Sequence, residues 1–314
     1  MKWRPAAATV FAPASIGNVG PGFDALGLCV EGLGDLVTVE LTGERQPRVA
    51  ITGRDAALVP TADRRNAAAI AAAAFLRARG DARHPRVTLH KGLPLSGGLG
   101  GSAASSVGGA LAAAFALRLD STRATVREQV LLAACHGEAA VSGEHYDNVA
   151  ACLLGGLTLV RSSAPLDVVA LTVRRRWWVA LASPGIRVET KHARAALPQQ
   201  VARSVLVHQV ASCAALVHAF AQGDAALAGR ALDDRFAEPA RAALIPHFAK
   251  VKAAAHAAGA IGCSISGAGP TVFALARSEL TAHRSARAMQ QAFEGLASTV
   301  HVGRICARGA HRVD

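Results

Sequence analysis

A glycine-rich loop that leads into a helix of small residues is the segment of this sequence best suited to chemistry. Residues 94–114 read PLSGGLGGSAASSVGGALAAA. Gly98 and Gly100 allow positive φ angles and a close approach to the main chain. The free amides and the dipole at the start of the helix favour an anion, and phosphate is the usual one. The segment therefore predicts a phosphate-binding loop.

Two residues near this loop could hold a metal ion beside a bound phosphate. Ser102 lies in the first turn of the predicted helix, where its hydroxyl can cap the helix or coordinate Mg2+. Glu138, at the end of the next predicted helix, could supply the carboxylate. A transition-metal site at His136, Glu138, His145 and Asp147 is the alternative. The cysteine pair of a zinc deaminase is missing, so we expect these histidines to be hydrogen-bonded scaffold.

The glycine loop also fits other interpretations. It is not a Walker A loop, because no G-K-[ST] follows the glycines. It does match G-x-G-x-x-A from Gly98 to Ala103, and Asp120 stands near the position of the ribose-binding carboxylate of a dinucleotide fold. Only ALRL remains between Gly98 and Asp120 for the second strand of that fold. A dinucleotide oxidoreductase and a turn that merely permits tight packing stay open as alternatives.

Two further segments combine glycines with polar residues. PASIGNVGPGFDALG, at 13–27, holds Asn18 and Asp24 in a long loop that is costly to order without a function. SISGAGPT, at 264–271, is either a hairpin turn or the wall of a phosphate pocket. The chain has no G-x-S-x-G motif, so we do not expect a serine hydrolase.

Predicted strands and helices mix in both halves of the chain without regular βαβ alternation. This pattern predicts an α+β fold in two lobes. The segment SSAPLD, which starts at residue 162, gives the strongest boundary signal. We therefore predict one domain at 1–162 and a second at 163–314.

Composition limits the classes of partner. The 314 residues carry a net charge of +12, but the arginines are dispersed and the aromatic fraction is only 4%, so we expect no nucleic-acid partner. The dense cluster at 174–176 precedes WWVALASP and should be a loop before a buried strand.

No unbroken apolar run reaches the length of a membrane span. Lys2 and Arg4 imitate a signal peptide, but the apolar part is short and contains proline. Six scattered cysteines without C-x-x-C indicate reduced thiols and a cytoplasmic location.

The glycine segments, in this order, resemble the motifs of the GHMP small-molecule kinases. APASIGNVGPGFDALGLCV resembles the first motif, the loop at 94–114 the phosphate loop, and GEHYDNVAACLLGGLTLV the substrate segment. SPGIRVETKHARAALP, AEPARAALIPHF and SISGAGPTVFAL continue the likeness. The H-Y-D-N-V-A and E-P-x-R segments narrow it to the homoserine branch. The resemblance implies a first lobe like domain 2 of ribosomal protein S5, a ferredoxin-like second lobe, and ATP-dependent phosphorylation of the homoserine hydroxyl.

The resemblance also implies the role of each site residue. ATP and Mg2+ are the implied cofactors, with Asn66 at the adenine and Ser102 and Glu138 at the metal. The other residues implied around ATP are Lys91, Pro94, Leu95, Ser96, Gly97, Gly98, Leu99, Gly100, Gly101, Ala103, Ala104, Gly267 and Gly269.

The acceptor side is implied in the same way. Asp24 would pair with the ammonium of L-homoserine, Arg194 and Arg241 with its carboxylate, and Asn18 and Asn148 would orient the rest. Thr190 is close to Arg194 in sequence and is included. The catalytic set is Asn148, Asp147 and Thr190, with the proton acceptor left open. Two departures bear on affinity: Gly101 replaces a usual serine, and Ile16-Gly17 replaces a small polar pair. A homodimer is possible.

Overall fold

The protein is described here from a computed structural model, which covers residues 6–43 and 48–314. Lys2 and Arg4, on which the likeness to a signal peptide depends, lie outside the described residues. The strands are β1 (Ala7–Gly17), β2 (Leu26–Thr42), β3 (Arg48–Gly53), β4 (His84–Lys91), β5 (Leu157–Ser163), β6 (Leu166–Leu171), β7 (Trp178–Pro184), β8 (Gly262–Ile265), β9 (Val272–Ala276), β10 (Ser298–Arg304) and β11 (His311–Arg312). The helices are α1 (Ala67–Ala78), α2 (Gly101–Ala116), α3 (Ala124–Val141), α4 (Tyr146–Leu154), α5 (Thr190–Ala195), α6 (Arg203–Gln222), α7 (Ala225–Ala231), α8 (Ala237–Arg241), α9 (Phe248–Ala257) and α10 (Glu279–Ala292).

The strands form two sheets, which confirms the expected α+β fold. The first sheet has the order β11-β1-β2-β4-β3, with β5 paired to β2 and β6 paired to β5. Its pairings are antiparallel except for the parallel pair β3–β4. The second sheet has the antiparallel order β10-β7-β9-β8. Helices α9 and α10 cover this second sheet around Met289 and Phe293.

Helix α2 lies at the centre of the first lobe, where it packs on β1, β2, α1 and α3. Its small residues let neighbouring backbones approach closely. A Cβ added to Gly109 would lie 2.2 Å from the Ala68 carbonyl oxygen of α1. Asn66 begins α1, because its side chain accepts hydrogen bonds from the amides of Ala68 and Ala69. Local capping and small-residue packing together fix the start of α1 beside the middle of α2.

The segment SSAPLD is a hairpin turn between β5 and β6, which pair within the first sheet. The last strand, β11, also returns to this sheet and pairs with β1. Parts of the chain beyond residue 162 thus belong to the first sheet. The division at 162 therefore stays a prediction.

The arginine cluster at 174–176 lies directly before strand β7, as predicted. The amide of Arg174 donates to the Phe220 carbonyl, and the indole N–H of Trp177 donates to the Arg174 carbonyl at 2.9 Å. Trp177 is 1% exposed and packs edge-on against Phe220. The cluster therefore serves as the entry to a buried strand.

Helix α6 is largely apolar, but it is not an unbroken apolar run, because His208, Gln209 and His218 interrupt it. It is the one helix in the described ranges that is long and apolar enough to cross a membrane by length and composition. Core helices of soluble proteins can have the same length and composition, although only 22% of the apolar stretch of α6 is buried. Leu206, Val207 and Val210 are exposed on it.

Gly109→Ala should destabilise the first lobe, because the added methyl group meets backbone that cannot rotate away. We expect a loss of about 2 to 4 kcal/mol, as for severe overpacking in a core. Gly43→Ala is the matched control, since nothing lies within 4 Å of its Cβ position. Thermal and urea unfolding of the two variants check this, and equal stability would contradict the packing described here.

Candidate active site

The three glycine-rich segments meet around one cavity of about 420 Å³. Most of the predicted site residues line it, which brings together segments far apart in sequence. The predicted residues on its wall are Asn18, Asp24, Asn66, Lys91, Pro94, Leu95, Ser96, Gly97, Gly98, Gly100, Gly101, Ser102, Glu138, Asp147, Asn148, Thr190, Arg194, Arg241 and Gly267. Leu99, Ala103, Ala104 and Gly269 are absent from this wall, and the first three have side chains buried in the core.

Hydrogen bonds join the three segments to each other. The Gly267 amide donates to the Gly17 carbonyl at 3.1 Å, and the Asn18 side-chain amide donates to the Gly267 carbonyl at 3.0 Å. The hydroxyls of Ser266 and Thr271 donate to the carbonyls of Gly98 and Gly97, both at 2.6 Å. The segment at 264–271 is therefore a wall of the site.

The bare backbone at Gly98 and Gly100 has a geometric cause. Gly98 has a φ of +75°, and a Cβ there would lie 2.5 Å from the Ser266 carbonyl oxygen. Gly100 has a φ of +65°, and a Cβ there would lie 2.1 Å from the Ser15 hydroxyl. Any larger residue would collide with the neighbouring segments. Helix α2 starts immediately afterwards with no side-chain cap, so its first amides face the cavity end of the loop.

Lys91 connects the phosphate loop to strand β2 through a buried set of hydrogen bonds. It is 4% exposed and donates to the carboxylate of Asp35, to the Gly101 carbonyl at 3.0 Å and to the Ser105 hydroxyl at 3.2 Å. Asp35 also accepts from the amides that follow Lys91, at positions 92 and 93. Sequence reasoning missed Asp35, although a single aspartate within the apolar strand β2 was a visible signal.

Glu138 and Ser102 form the metal-binding candidate. Glu138 is 2% exposed, and its Oε1 accepts a hydrogen bond from the Ser102 hydroxyl at 2.9 Å. Its Oε2 is buried and has no hydrogen-bond partner. Burial raises the pKa of Glu138 to about 8. An unpaired carboxylate oxygen beside a serine hydroxyl, at the start of a phosphate loop, fits Mg2+.

The alternative transition-metal site at His136 and His145 is wrong. Among the residues that the structure describes, no group of three or more His, Cys, Asp or Glu side chains could hold a metal ion. His136 is exposed. His145 hydrogen-bonds to the Ser142 carbonyl at 3.1 Å and faces Arg194. His145 is therefore hydrogen-bonded scaffold, as expected, whereas for His136 that expectation stays a prediction.

Asp147 uses its carboxylate to hold two segments together. Its Oδ2 accepts from the Asn18 amide at 2.9 Å, and its Oδ1 accepts from the Asn148 amide at 2.8 Å and side chain at 3.1 Å. Burial raises the pKa of Asp147, and the Asn18 hydrogen bond opposes that rise. The Oδ1 of Asn148 in turn accepts from the Ser15 hydroxyl at 3.0 Å. These bonds favour positioning, rather than proton abstraction, as the role of Asp147.

The acceptor side of the cavity carries charges of both signs. Asp24 and Arg194 form a forked ion pair, with N–O distances of 3.0 and 3.1 Å. Arg241 is 4% exposed and donates to the carbonyls of Ala193 and Gly267. Both guanidinium groups lie over the ring of Phe23, at 5.8 and 5.5 Å from its centre. Sequence reasoning missed Phe23, which places the two arginines side by side.

The dinucleotide alternative is also wrong. After α2 the chain enters helix α3, where a dinucleotide fold requires a second buried strand. Asp120 is exposed and accepts from the amide and hydroxyl of Thr122, away from the cavity. The glycine match at 98–103 therefore does not mark a ribose-binding site.

Comparison with known proteins identifies the family. Residues 66–156 match the GHMP kinases N terminal domain, and residues 216–295 match GHMP kinases C terminal. The chain is 37% identical to a homoserine kinase of Chlorobium phaeovibrioides, covering 96% of this chain and 97% of that protein. It is 43% identical to a homoserine kinase of Arabidopsis thaliana, covering 90% and 77%.

A solved structure agrees with the sequence matches. The crystal structure of homoserine kinase from Cytophaga hutchinsonii superposes with a TM-score of 0.92 at 38% identity, covering 100% of this chain and 99% of that one. These matches account for the fold, the order of the motifs and the arrangement of the cavity. The chain therefore belongs to the homoserine kinase family of the GHMP kinases.

Proposed function

We propose that this chain transfers a phosphoryl group from ATP to the side-chain hydroxyl of L-homoserine, giving O-phospho-L-homoserine for threonine synthesis. The observation that carries the proposal is the set of opposite charges at Asp24, Arg194 and Arg241, beside the phosphate loop. A small zwitterion with a hydroxyl matches this arrangement. Other GHMP kinase acceptors, such as mevalonate, carry no ammonium for Asp24.

The acceptor residues can hold both ends of such a zwitterion. Arg241 is fixed by two backbone carbonyls, so part of its guanidinium is positioned without cost at binding. Burial lowers the pKa of Arg241, and Asp24 opposes that effect; the group stays charged. Two planar guanidinium groups over one ring suit a carboxylate. Asp24 would then pair with the ammonium.

The donor side needs positioning and charge neutralisation more than covalent chemistry. The main chain of the loop at 96–101 and the first amides of α2 would bind the ATP phosphates, and Asn66 would contact the adenine. Ser102 and Glu138 would hold Mg2+. When bound, Mg2+ would neutralise phosphate charge during transfer.

The acceptor hydroxyl needs orientation toward the phosphate loop. Asn148 lies between the two, because its Oδ1 would be 3.0 Å from a Cβ on Gly100. Asp147 fixes Asn148 and Asn18 through three hydrogen bonds. We assign Asn148 to orient the hydroxyl, with Asn18 and Thr190 beside it, and Asp147 to hold them. The loose transition state of phosphoryl transfer does not require a strong base.

The direct test is MgATP-dependent ADP release by the purified chain. L-homoserine should support it, whereas mevalonate, shikimate and L-threonine should not. Release with another acceptor and none with homoserine would overturn the substrate assignment.

We also propose a cytoplasmic location and a small-molecule substrate, without a nucleic-acid or membrane partner. The scattered cysteines and dispersed arginines support this.

Arg194→Met should raise KM for homoserine at least tenfold, because a hydrogen bond to a charged group contributes about 1.5 to 3 kcal/mol. Arg241→Met should act in the same direction and more strongly, since Arg241 is buried. KM for ATP should change little. Arg284→Met, at an exposed position on α10, is the control.

Substrate fragments separate the two charges. Aminopropanol lacks the carboxylate, so Arg194→Met should not raise its KM further. γ-Hydroxybutyrate lacks the ammonium but keeps the carboxylate, so Arg194→Met should raise its KM by the same factor as that of homoserine. An equal loss with aminopropanol would contradict the carboxylate assignment.

Glu138→Gln should abolish most Mg2+-dependent activity, because a neutral amide cannot balance the charge of the cation. The same variant should be more stable than the wild type without nucleotide and Mg2+. Folding raises the pKa of Glu138 from 4.5 to about 8, so the wild type loses stability as pH rises through that interval. The difference in unfolding free energy between Glu138→Gln and the wild type should grow by up to about 1.4 kcal/mol per pH unit in that interval and then level off.

Thermal unfolding across that pH interval, together with Mg2+ titration of ADP release, checks both parts. Glu144→Gln is the matched control at a nearby exposed glutamate and should show neither effect. A stability gap that does not depend on pH would show that Glu138 is already ionised in the folded protein.

A further inference from the structure

Cys29 and Cys306 lie opposite each other where the end of the chain meets strand β2. Val30 and Ile305 form an antiparallel bridge, and the Cys306 amide donates to the Cys29 carbonyl at 2.9 Å. The two cysteines therefore lie across from each other directly beyond this isolated bridge, joined by that one backbone hydrogen bond, while the Cys29 amide donates to the Gly156 carbonyl at 2.9 Å. Opposed residues point to one face with Cα atoms about 4.5 to 5.5 Å apart, which is within the usual range of disulfides, about 4.4 to 6.8 Å.

The surroundings of the two thiols differ. Cys29 is fully buried, and Cys306 is partly exposed. The Cys29 thiol, then the backbone N–H groups of Arg308 and Gly309, face the Cys306 sulfur and lower the pKa of Cys306 to about 6. Partial burial and the Glu31 carboxylate oppose this. Burial raises the pKa of Cys29.

A third thiol, that of Cys152, is close to this pair. Cys152 is buried near the end of α4, and its carbonyl accepts from the Ala310 amide at 2.7 Å. Burial raises the pKa of Cys152, and Cys306 contributes to that rise. Cys152 is not opposed to either cysteine in a strand pair, so it serves as the internal comparison.

We propose that Cys29 and Cys306 are a peroxide-sensitive modification site, at which Cys306 is oxidised first and Cys29 resolves it into a reversible disulfide. A partly exposed sulfur that faces hydrogen-bond donors, directly opposite a second thiol, is the arrangement this chemistry needs. Thiols that form such bonds reversibly occur in reducing compartments as well.

The chemistry uses hydrogen peroxide as the oxidant. The Cys306 thiolate attacks one peroxide oxygen, the O–O bond breaks, and a sulfenic acid forms as hydroxide takes up a proton to become water. The Cys29 sulfur then attacks the Cys306 sulfur, forming the S–S bond and breaking the S–O bond. The Cys29 proton and the hydroxyl leave as a second water. A dithiol reverses the product by exchange.

The disulfide would connect the end of the chain to the acceptor side of the cavity. In the sheet, Cys29 is paired with Ser15, whose hydroxyl donates to Asn148. The segment after Cys306 packs on the end of α4, where a Cβ on Gly155 would lie 2.6 Å from the Ala307 carbonyl oxygen. Helix α4 begins with the residues that hold the acceptor.

Peptide mapping of the full chain tests the proposal. Trypsin places Cys29, Cys152 and Cys306 on three different peptides. After treatment with hydrogen peroxide and blocking of free thiols, the wild type and Cys152→Ser should yield a Cys29–Cys306 cross-link that dithiothreitol removes. In Cys29→Ser the resolving thiol is missing, so Cys306 should be oxidised further to the sulfinic acid. Cys306→Ser should give no cross-link.

Alkylation of the untreated protein provides the second measurement. Cys213 is also partly exposed, but burial raises its pKa, so it is the matched control. Iodoacetamide near neutral pH should modify Cys306 about five- to tenfold faster than Cys213, after allowing for the lower nucleophilicity of an acidic thiol. Equal rates, a Cys152–Cys306 cross-link, or direct over-oxidation of Cys306 in the wild type would overturn the proposal.

Discussion

The buried ion pair between Lys91 and Asp35 determines where the phosphate loop begins. Removing two such charges from water costs several kcal/mol for each ion, and the structure offsets this with additional bonds. Asp35 accepts from Lys91, from the Ser105 hydroxyl and from two consecutive amides at 92 and 93, while Lys91 also donates to the Gly101 carbonyl. The chain leaving β4 is thus fixed to β2 and to the start of α2 at once. The glycines between these two points can then follow a path that no larger residue could take.

Two other buried carboxylates, those of Asp147 and Glu138, differ in how their oxygens are hydrogen-bonded. Asp147, like Asp35, has its oxygens occupied by amides, and those amides come from segments 129 residues apart as well as from its own helix. Glu138 is equally buried but has one oxygen without a partner. A protein retains an unsatisfied buried acceptor at a cost of about 1 to 3 kcal/mol. The proposed Mg2+ would offset that cost, and the unpaired oxygen distinguishes Glu138 from the two carboxylates whose oxygens are all occupied.

The local chemistry of the site was predictable from sequence, and its long-range supports were not. Gly98, Gly100, Ser102 and Glu138 could be recognised because glycine conformations and helix starts are properties of neighbouring residues. Asp35 was missed because its partners lie more than fifty positions away, and Phe23 because nothing in its own segment marks a ring as a platform for arginines. The SSAPLD signal marked a turn correctly, but turn chemistry is the same between lobes and within a hairpin.

In the proposed function, the acceptor pocket would select for charge through an ion pair that it already contains, that of Asp24 and Arg194. Asp24 and Arg194 neutralise each other directly, at partly exposed positions where an ion pair contributes little, about 0 to 1 kcal/mol. A ligand with both an ammonium and a carboxylate can separate them and give each a new partner. A ligand with one charge leaves the other residue unpaired, and Arg241 adds a second cation that an ammonium alone would face unfavourably. In the proposed reaction, discrimination would thus arise from the penalty on singly charged ligands as much as from attraction to the zwitterion, and the weakness of the internal pair would keep that exchange accessible.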